Sequence, residues 1–297
     1  MSIKGIIAKL LPQSLLNRLL INKDRKQLQS LESIECDATH LAAYSAEQVT
    51  GFFSSKQTST DWAHIAKRIN EFQIPDMTGG VNPGDRRAIY FLAKAIGAQS
   101  VLEVGTHIGA STIHLASAVR ENCDNAEVGD GNKPSPQLTS VDIADVNDEA
   151  AQPWLQHGSG KSPRAMVDEL DCQFVEFKTT KSLSYMQNCQ QRFDLIFLDG
   201  DHAARTTYQE IPAALKLLKP DGAILLHDYF PNLQPLWSNG VVLAGPCLAA
   251  ERLTREIQQL QVIPFGDLPW PTKLGTNRTS LALLCRASDC VGIIGVR

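Results

Sequence analysis

The sequence predicts an α/β fold: a doubly wound, mostly parallel seven-stranded sheet with an antiparallel final strand, preceded by a helical appendage. Three observations carry this expectation. From residue 100 onward, short apolar runs alternate with helical patterns, as in a parallel sheet covered on both faces. The first run leads into a glycine-bearing turn and then a helix, VLEVGTHIGASTIHLA (101–116). Two later runs, FDLIFLDGDH (193–202) and GAILLHDYF (222–230), end in acidic and histidine residues. A chain of 297 residues has room for one large α/β domain and an appendage.

The N-terminal residues Ile6, Ile7, Leu10, Leu11, Leu15, Leu16, Leu19 and Leu20 recur at helical spacing. Lys9, Pro12, Gln13, Asn17 and Arg18 interrupt them and no small-residue cleavage site follows, so no secretory signal is expected. Such a helix packs on the core or on another subunit; lying at a membrane surface is the second reading. A further helix is expected over Asp61 to Phe72. The stretch DMTGGVNPGD (76–85) reads as a loop, and Arg86 to Ile96 as a helix. The domain division is therefore an appendage over 1–75 and an α/β domain over 76–297.

Strands are expected at Ser100 to Val104, Leu138 to Val141, Gln173 to Phe177, Phe193 to Leu198 and Gly222 to Leu226. Helices fall at Ser111 to Arg120, Pro163 to Leu170 and Thr206 to Leu218. Glu121 to Gln137 and Ala144 to Ser162 read as inserted loops. Pro246 to Leu260 reads as a helix, followed by strands at Gln261 to Phe265 and Thr279 to Cys285. Pro264 cannot donate a ladder hydrogen bond, so its strand belongs at a sheet edge. The last strand then inserts antiparallel beside the fifth.

Composition narrows the function. A net charge of −4 gives no global drive toward nucleic acid or an anionic membrane, and basic residues are scattered apart from Lys23 to Lys26 and the pair Arg86–Arg87, with no basic stripe suited to nucleic acid. The seven cysteines are odd in number with no Cys-x-x-Cys pair, which fits reduced thiols in a cytoplasmic protein rather than a disulfide framework or zinc site. No apolar run approaches the ~20 residues of a membrane span.

The turn after the first strand is the strongest chemical signal. A dinucleotide fingerprint is G-x-G-x-x-G, whereas here the spacing is Glu103-x-Gly105-x-x-x-Gly109, with His107 in the middle. Ligands in such sheets bind at the carboxyl ends of strands. One unit later the second strand ends in Asp142, a carboxylate able to accept both ribose hydroxyls of a nucleoside. Thr179 and Thr180 follow the third strand. The fourth strand delivers Asp199, Asp201 and His202, and the fifth delivers His227 and Asp228. Two carboxylates facing one crevice repel unless a proton or cation intervenes.

The glycine spacing resembles motif I of class I methyltransferases. The whole run from about residue 76 to 286 resembles the metal-dependent catechol-type O-methyltransferases and their bacterial relatives. The resemblance implies a Rossmann-like fold and S-adenosylmethionine as cofactor. Val81-Asn82-Pro83-Gly84-Asp85 stands where that family has Met-Asn-x-Gly-Asp. It implies cofactor contacts at Asn82, Glu103, Gly105, Thr106, Gly109, Ser111, Asp142, Thr180 and Asp199. It also implies Mg²⁺ or another divalent cation on Asp199 and Asp228. The family follows the second Asp with an Asn ligand; here Tyr229 stands there, leaving Asp201, His227 or water to complete the shell. The family's Lys base, three residues after the first metal Asp, is His202 here. Histidine suits that role near neutral pH, and His202 and Asp199 are the expected catalytic pair.

These residues imply methyl transfer to a hydroxyl of a small molecule, a phenol, catechol or sugar. Transfer to nitrogen or carbon, or to a macromolecule, is the second reading. A binding scaffold that keeps the fold without the chemistry is the third. Trp154, Trp237 and Trp270 either line the acceptor pocket or pack the loops. A homodimer paired through the appendage is expected.

Overall fold

A computed structural model of the chain describes residues 11–76, 78–126 and 133–287. Ile6, Ile7, Lys9, Leu10 and Cys290 lie outside the described residues. Helix α1 spans Gln13–Gln29, β1 Ala43–Tyr44, α2 Ala46–Phe52, α3 Lys56–Asn70 and α4 Pro83–Ala95. Then come β2 (Ser100–Val104), α5 (Ala110–Asp124), β3 (Gln137–Asp142), α6 (Pro153–Gln156), α7 (Pro163–Glu169) and β4 (Val175–Thr179). The remainder is α8 (Ser182–Asn188), β5 (Phe193–Leu198), α9 (Ala204–Leu215), β6 (Leu218–Leu226), α10 (Gly245–Glu256), β7 (Leu260–Pro264) and β8 (Ala282–Ala287).

The sheet runs β4-β3-β2-β5-β6-β8, with β7 and β1 also paired to β8. β2 to β6 are mutually parallel, and β8 is antiparallel to both β6 and β7. The Rossmann-like expectation holds, with one correction: the sheet has eight strands rather than seven. The extra strand, β1, pairs Ala43 with Arg286; two residues carry no alternation for a sequence reading to detect. Pro264 sits on outermost β7, opposite Ala282.

Alternate residues of the central strands enter different cores, because strand side chains point to opposite faces in turn. Val101, Leu195, Phe197 and Leu225 pack with α4 and α5 on one face. Leu102, Ile196, Leu198, Ile224 and Leu226 pack with α9 and α10 on the other. This two-sided burial explains why the strands read as continuous apolar runs. Val49, Phe53, Ile65, Ile69 and Phe72 of the 1–75 segment belong to the first core.

Chain order reverses between β2 and β5: β3 and β4 extend the sheet one way, β5 and β6 the other. A crevice opens at the carboxyl ends of strands at such a switch point. The predicted loop over Ala144 to Ser162 is packed rather than free. It contains α6, and Val146 and Trp154 are buried.

Candidate active site

A hollow of ≈ 730 Å³ lies at this switch point. Its wall includes Gly105 and His107 of the turn after β2, Asp142 and Ile143 after β3, and Thr180 to Ser184 after β4. The tip of β5 adds Asp199 to His202, and Gly79 and Gly80 close one side. Ile143 is 73% exposed, an apolar side chain left open within this hollow.

The glycine turn is held from below by a buried polar network. The Glu103 carboxylate, fully buried, accepts hydrogen bonds from Ser111 Oγ (2.5 Å), Thr112 Oγ1 (2.5 Å) and Ser140 Oγ (2.6 Å). Thr106 Oγ1 in turn meets Ser140 Oγ at 2.6 Å. Burial pushes the Glu103 carboxyl up to about 7, against the opposing pull of its three hydroxyl donors. Asp142 holds the turn from the side: one carboxylate oxygen accepts the backbone N–H groups of Thr106 (3.1 Å) and His107 (3.0 Å), the other that of Ala144 (2.9 Å).

Gly105 has φ +95°, and a Cβ there would lie 2.1 Å from the Asp199 carbonyl oxygen. The glycine is thus required by close contact between the β2 turn and the β5 tip. Gly109 instead faces Pro163 at the start of α7.

Beside this turn, at the tips of β5 and β6, stands an acid–histidine cluster. His227 is buried, and its Nδ1 lies 2.8 Å from Asp199 Oδ1 and 3.7 Å from Asp228 Oδ2. Its Nε2 is 3.5 Å from Oδ2 of Asp85, which is 0% exposed. Burial alone would lower the His227 pKa; the charges of Asp199 and Asp228, with the hydrogen bond to Asp199 and the nearby Asp85 carboxylate, outweigh it and raise it well above 6.5. His202 Nε2 faces Asp228 Oδ2 at 3.4 Å. Asp199, His202 and Asp228 bring one donor atom each within 4.8 Å of one another.

Residues 102–229, from β2 to the residue after Asp228, match the family described as "Methyltransferase domain". This central segment is similar to that family. Its glycine turn, Asp142, Asp199, His202 and Asp228 all fall inside the matched segment. A relative from Mycobacterium sp. (strain JLS), named "Putative O-methyltransferase", is 28% identical over 55% of this chain and 63% of its own length. The chain therefore spans under two thirds of that relative. Another from Mycolicibacterium vanbaalenii, named likewise, is 27% identical over 61% of this chain and 70% of its own length. Among solved structures, an O-methyltransferase from Bacillus cereus in complex with SAH aligns with TM-score 0.48 and 18% identity, covering 76% of this chain and 91% of that one.

The fold brings together five of the expected residues: Gly105, Asp142, Thr180, Asp199 and His202 all line the hollow. Asp228 reaches the cluster through His202 and His227. Glu103, Thr106, Gly109 and Ser111 lie outside its wall. Asn82 also lies outside it: its side chain caps α4, accepting from the Asp85 backbone N–H (3.0 Å) and donating to the Asp85 carboxylate (2.6 Å). The candidates for a third ligand are otherwise engaged. Asp201 accepts from Ala203 N–H and Thr206 Oγ1 at the start of α9, and His227 bonds Asp199. The Tyr229 side chain is buried away from the cluster, packed in the core with α9 and α10.

The tryptophans pack loops rather than line the hollow. Trp270 Nε1 donates to the Gly84 carbonyl, Trp237 packs on Phe230, and all three of Trp154, Trp237 and Trp270 are buried. Sequence reasoning overlooked His107, Ile143 and Leu183 as lining residues, and Asp85 as the partner of His227. Asp85 stood in the quoted 81–85 motif, which was its available signal.

Proposed function

We propose that the chain transfers the methyl group of S-adenosylmethionine to a hydroxyl of a small molecule, a phenol, catechol or sugar. The observation that carries this reading is one continuous hollow joining the glycine turn to Asp199 and His202. Its ≈ 730 Å³ accommodate a nucleoside together with a small acceptor. Asp142 accepts the ribose hydroxyls with the lone pairs its three backbone donors leave free. Ile143 and Leu183 offer apolar surface to the adenine, with Thr180 at its edge. Glu103, Thr106, Gly109, Ser111 and Asn82 act by fixing the turn and α4 rather than by touching the cofactor.

S-adenosylmethionine, when bound, supplies a methyl group already activated on a sulfonium, so the protein's share is positioning. Asp199 and Asp228 would hold a divalent cation such as Mg²⁺, a hard ion that carboxylate oxygens suit. The donor set fits: carboxylates on neighbouring strand ends, with the His202 nitrogen in the same small volume. The cation, when bound, lowers the pKa of an acceptor hydroxyl. His202 takes the acceptor's proton, and the buried His227 orients Asp199 through its 2.8 Å contact.

The acidic cluster disfavours a nucleic-acid acceptor, whose phosphates it would repel. Among the described residues no helix is long and apolar enough to cross a membrane; a cytoplasmic place and a homodimer complete the reading. We divide the chain functionally into an appendage, 1–75, and the methyltransferase domain, 76–297. Calorimetry with S-adenosylhomocysteine tests the core claim. One-to-one binding is expected, weakened at least tenfold by Asp142→Ala. Absence of binding to a folded chain would overturn it. Binding without transfer to any phenol, catechol or sugar hydroxyl would point to the scaffold reading.

A further inference from the structure

Helix α1 presents a surface that methyl transfer does not use. Leu15, Leu19 and Leu20 are 42%, 52% and 41% exposed, and all three lie on this one helix. Leu15, Leu19, Lys23 and Lys26 follow one another at spacings of four, four and three residues, which stacks them on one face. Arg18 and Arg25, seven residues apart, flank that face. With Asn22 they line a second hollow of ≈ 620 Å³, closed on its far side by Asn232 to Pro235.

The opposite face is the one that packs. Leu28 and Ile21 enter the core with α9 and α10, and Asn17 donates to the Gly240 carbonyl. The single acid of the helix, Asp24, is half-buried on that inner side, toward Ala204. The outward arc therefore carries four cations, leucines and no anion, in a chain whose net charge is −4.

We propose that this face docks the protein on an anionic phospholipid bilayer. Leucine side chains enter the acyl boundary, and Lys and Arg extend their stems so that the charged heads stay among the phosphates. Each basic residue held near an anionic surface strengthens binding about fivefold. The Arg18–Arg25 hollow gives two guanidinium groups to a phosphodiester. A second copy of the chain fits this face less well. A two-fold interface would set Arg18, Lys23, Arg25 and Lys26 against the same residues of its mate, like charge against like. Homodimer pairing, if through the appendage, belongs to its other helices.

Vesicle flotation of the full chain tests this, with phosphatidylglycerol–phosphatidylcholine vesicles and phosphatidylcholine alone as probes. The protein should float with the first and not the second, and high salt should release it. Leu15→Ser/Leu19→Ser and, separately, Arg18→Ser/Arg25→Ser should each lower the bound fraction at least fivefold, with circular dichroism and melting unchanged. Flotation unaffected by both pairs, or none at all with the anionic vesicles, overturns the proposal. So does a dimer seen by light scattering that the leucine pair abolishes while flotation is absent; the face would then join two copies. None of these readouts depends on cofactor binding, so the docking surface and the methyl-transfer reading stand or fall separately.

Discussion

At the scale of single residues, His202 and Glu103 make opposite demands on their surroundings. His202 is partly exposed at the mouth of the hollow, its Nε2 3.4 Å from Asp228. His202→Ala should cost roughly 10²- to 10⁴-fold in turnover on an acceptor with a high pKa, the range of a positioned base. S-adenosylhomocysteine affinity should hold. Full turnover across about pH 6 to 9 would remove the base role. Loss of cation binding by calorimetry would instead make His202 a ligand beside Asp199 and Asp228. Glu103, by contrast, is sealed beneath the turn, and its carboxyl titrates near 7 in the folded chain against 4.5 as its ordinary value. Between those values the folded chain keeps a proton that the unfolded chain has lost. Stability should therefore fall as pH rises through that window and level off above about 7. Glu103→Gln cannot ionise, so its urea midpoint should change less between about pH 5 and 8 than the parent's. An equal pH slope in the Gln variant would show that Glu103 does not contribute.

At the scale of elements, the site depends on two strand tips meeting across a turn. Gly105→Val would put side-chain atoms where the Asp199 carbonyl now lies, 2.1 Å from the Cβ position. Overpacking of this kind costs about 1 to 3 kcal/mol, and it should displace Asp199 as well. The expected outcome is a lower melting temperature together with weaker S-adenosylhomocysteine binding; unchanged affinity in a folded variant would disprove the coupling. The same contact tells why some of the site was legible in the sequence and some was not. Strand tips announce themselves: apolar runs buried on both sides stop abruptly at Asp142, Asp199 and Asp228, so residues at those stops were readable. Whether a turn residue faces the ligand or the protein is decided by partners far away in the chain. Glu103 looks like a cofactor ligand by spacing, yet Ser140 and Thr112 claim it. Gly109 is shaped by Pro163 and Asn82 by Asp85, contacts no local pattern encodes. The shortest elements, β1 and α6, escaped for a different reason: stretches of two and four residues give too few repeats to reveal a period.

At the scale of the whole molecule, the segment before residue 76 and the α/β domain share one core, which makes the functional division a poor place to cut. Val49, Phe53, Ile65, Ile69 and Phe72 are all under a tenth exposed and pack in the cluster that contains Phe91, Leu115 and Phe197. Phe53 also meets the rings of Phe265 at 5.1 Å and Trp270 at 6.0 Å, which binds the appendage to the last part of the chain. β1 adds its two residues beside Arg286 and Ala287. Burying five such side chains is worth about 1.5 to 3 kcal/mol each, a sum of about 10 kcal/mol, as large as the ~5 to 15 kcal/mol by which whole domains are stable. A chain beginning at residue 76 would strip Trp62 from Tyr90 and Phe53 from Phe265 and Trp270 and should show no cooperative melting transition. Phe53→Ala, which removes one ring and leaves the rest, should cost about 3 to 5 kcal/mol in urea unfolding and leave the hollow intact. Removal of residues 1–29 is the contrasting case. Of α1, Leu28 and Ile21 enter the second core, so that truncation should lower the melting temperature by several degrees yet leave a cooperative transition. A cooperatively folded 76–297 fragment that binds S-adenosylhomocysteine as tightly as the full chain would refute the shared core, and would make the appendage a separable module after all.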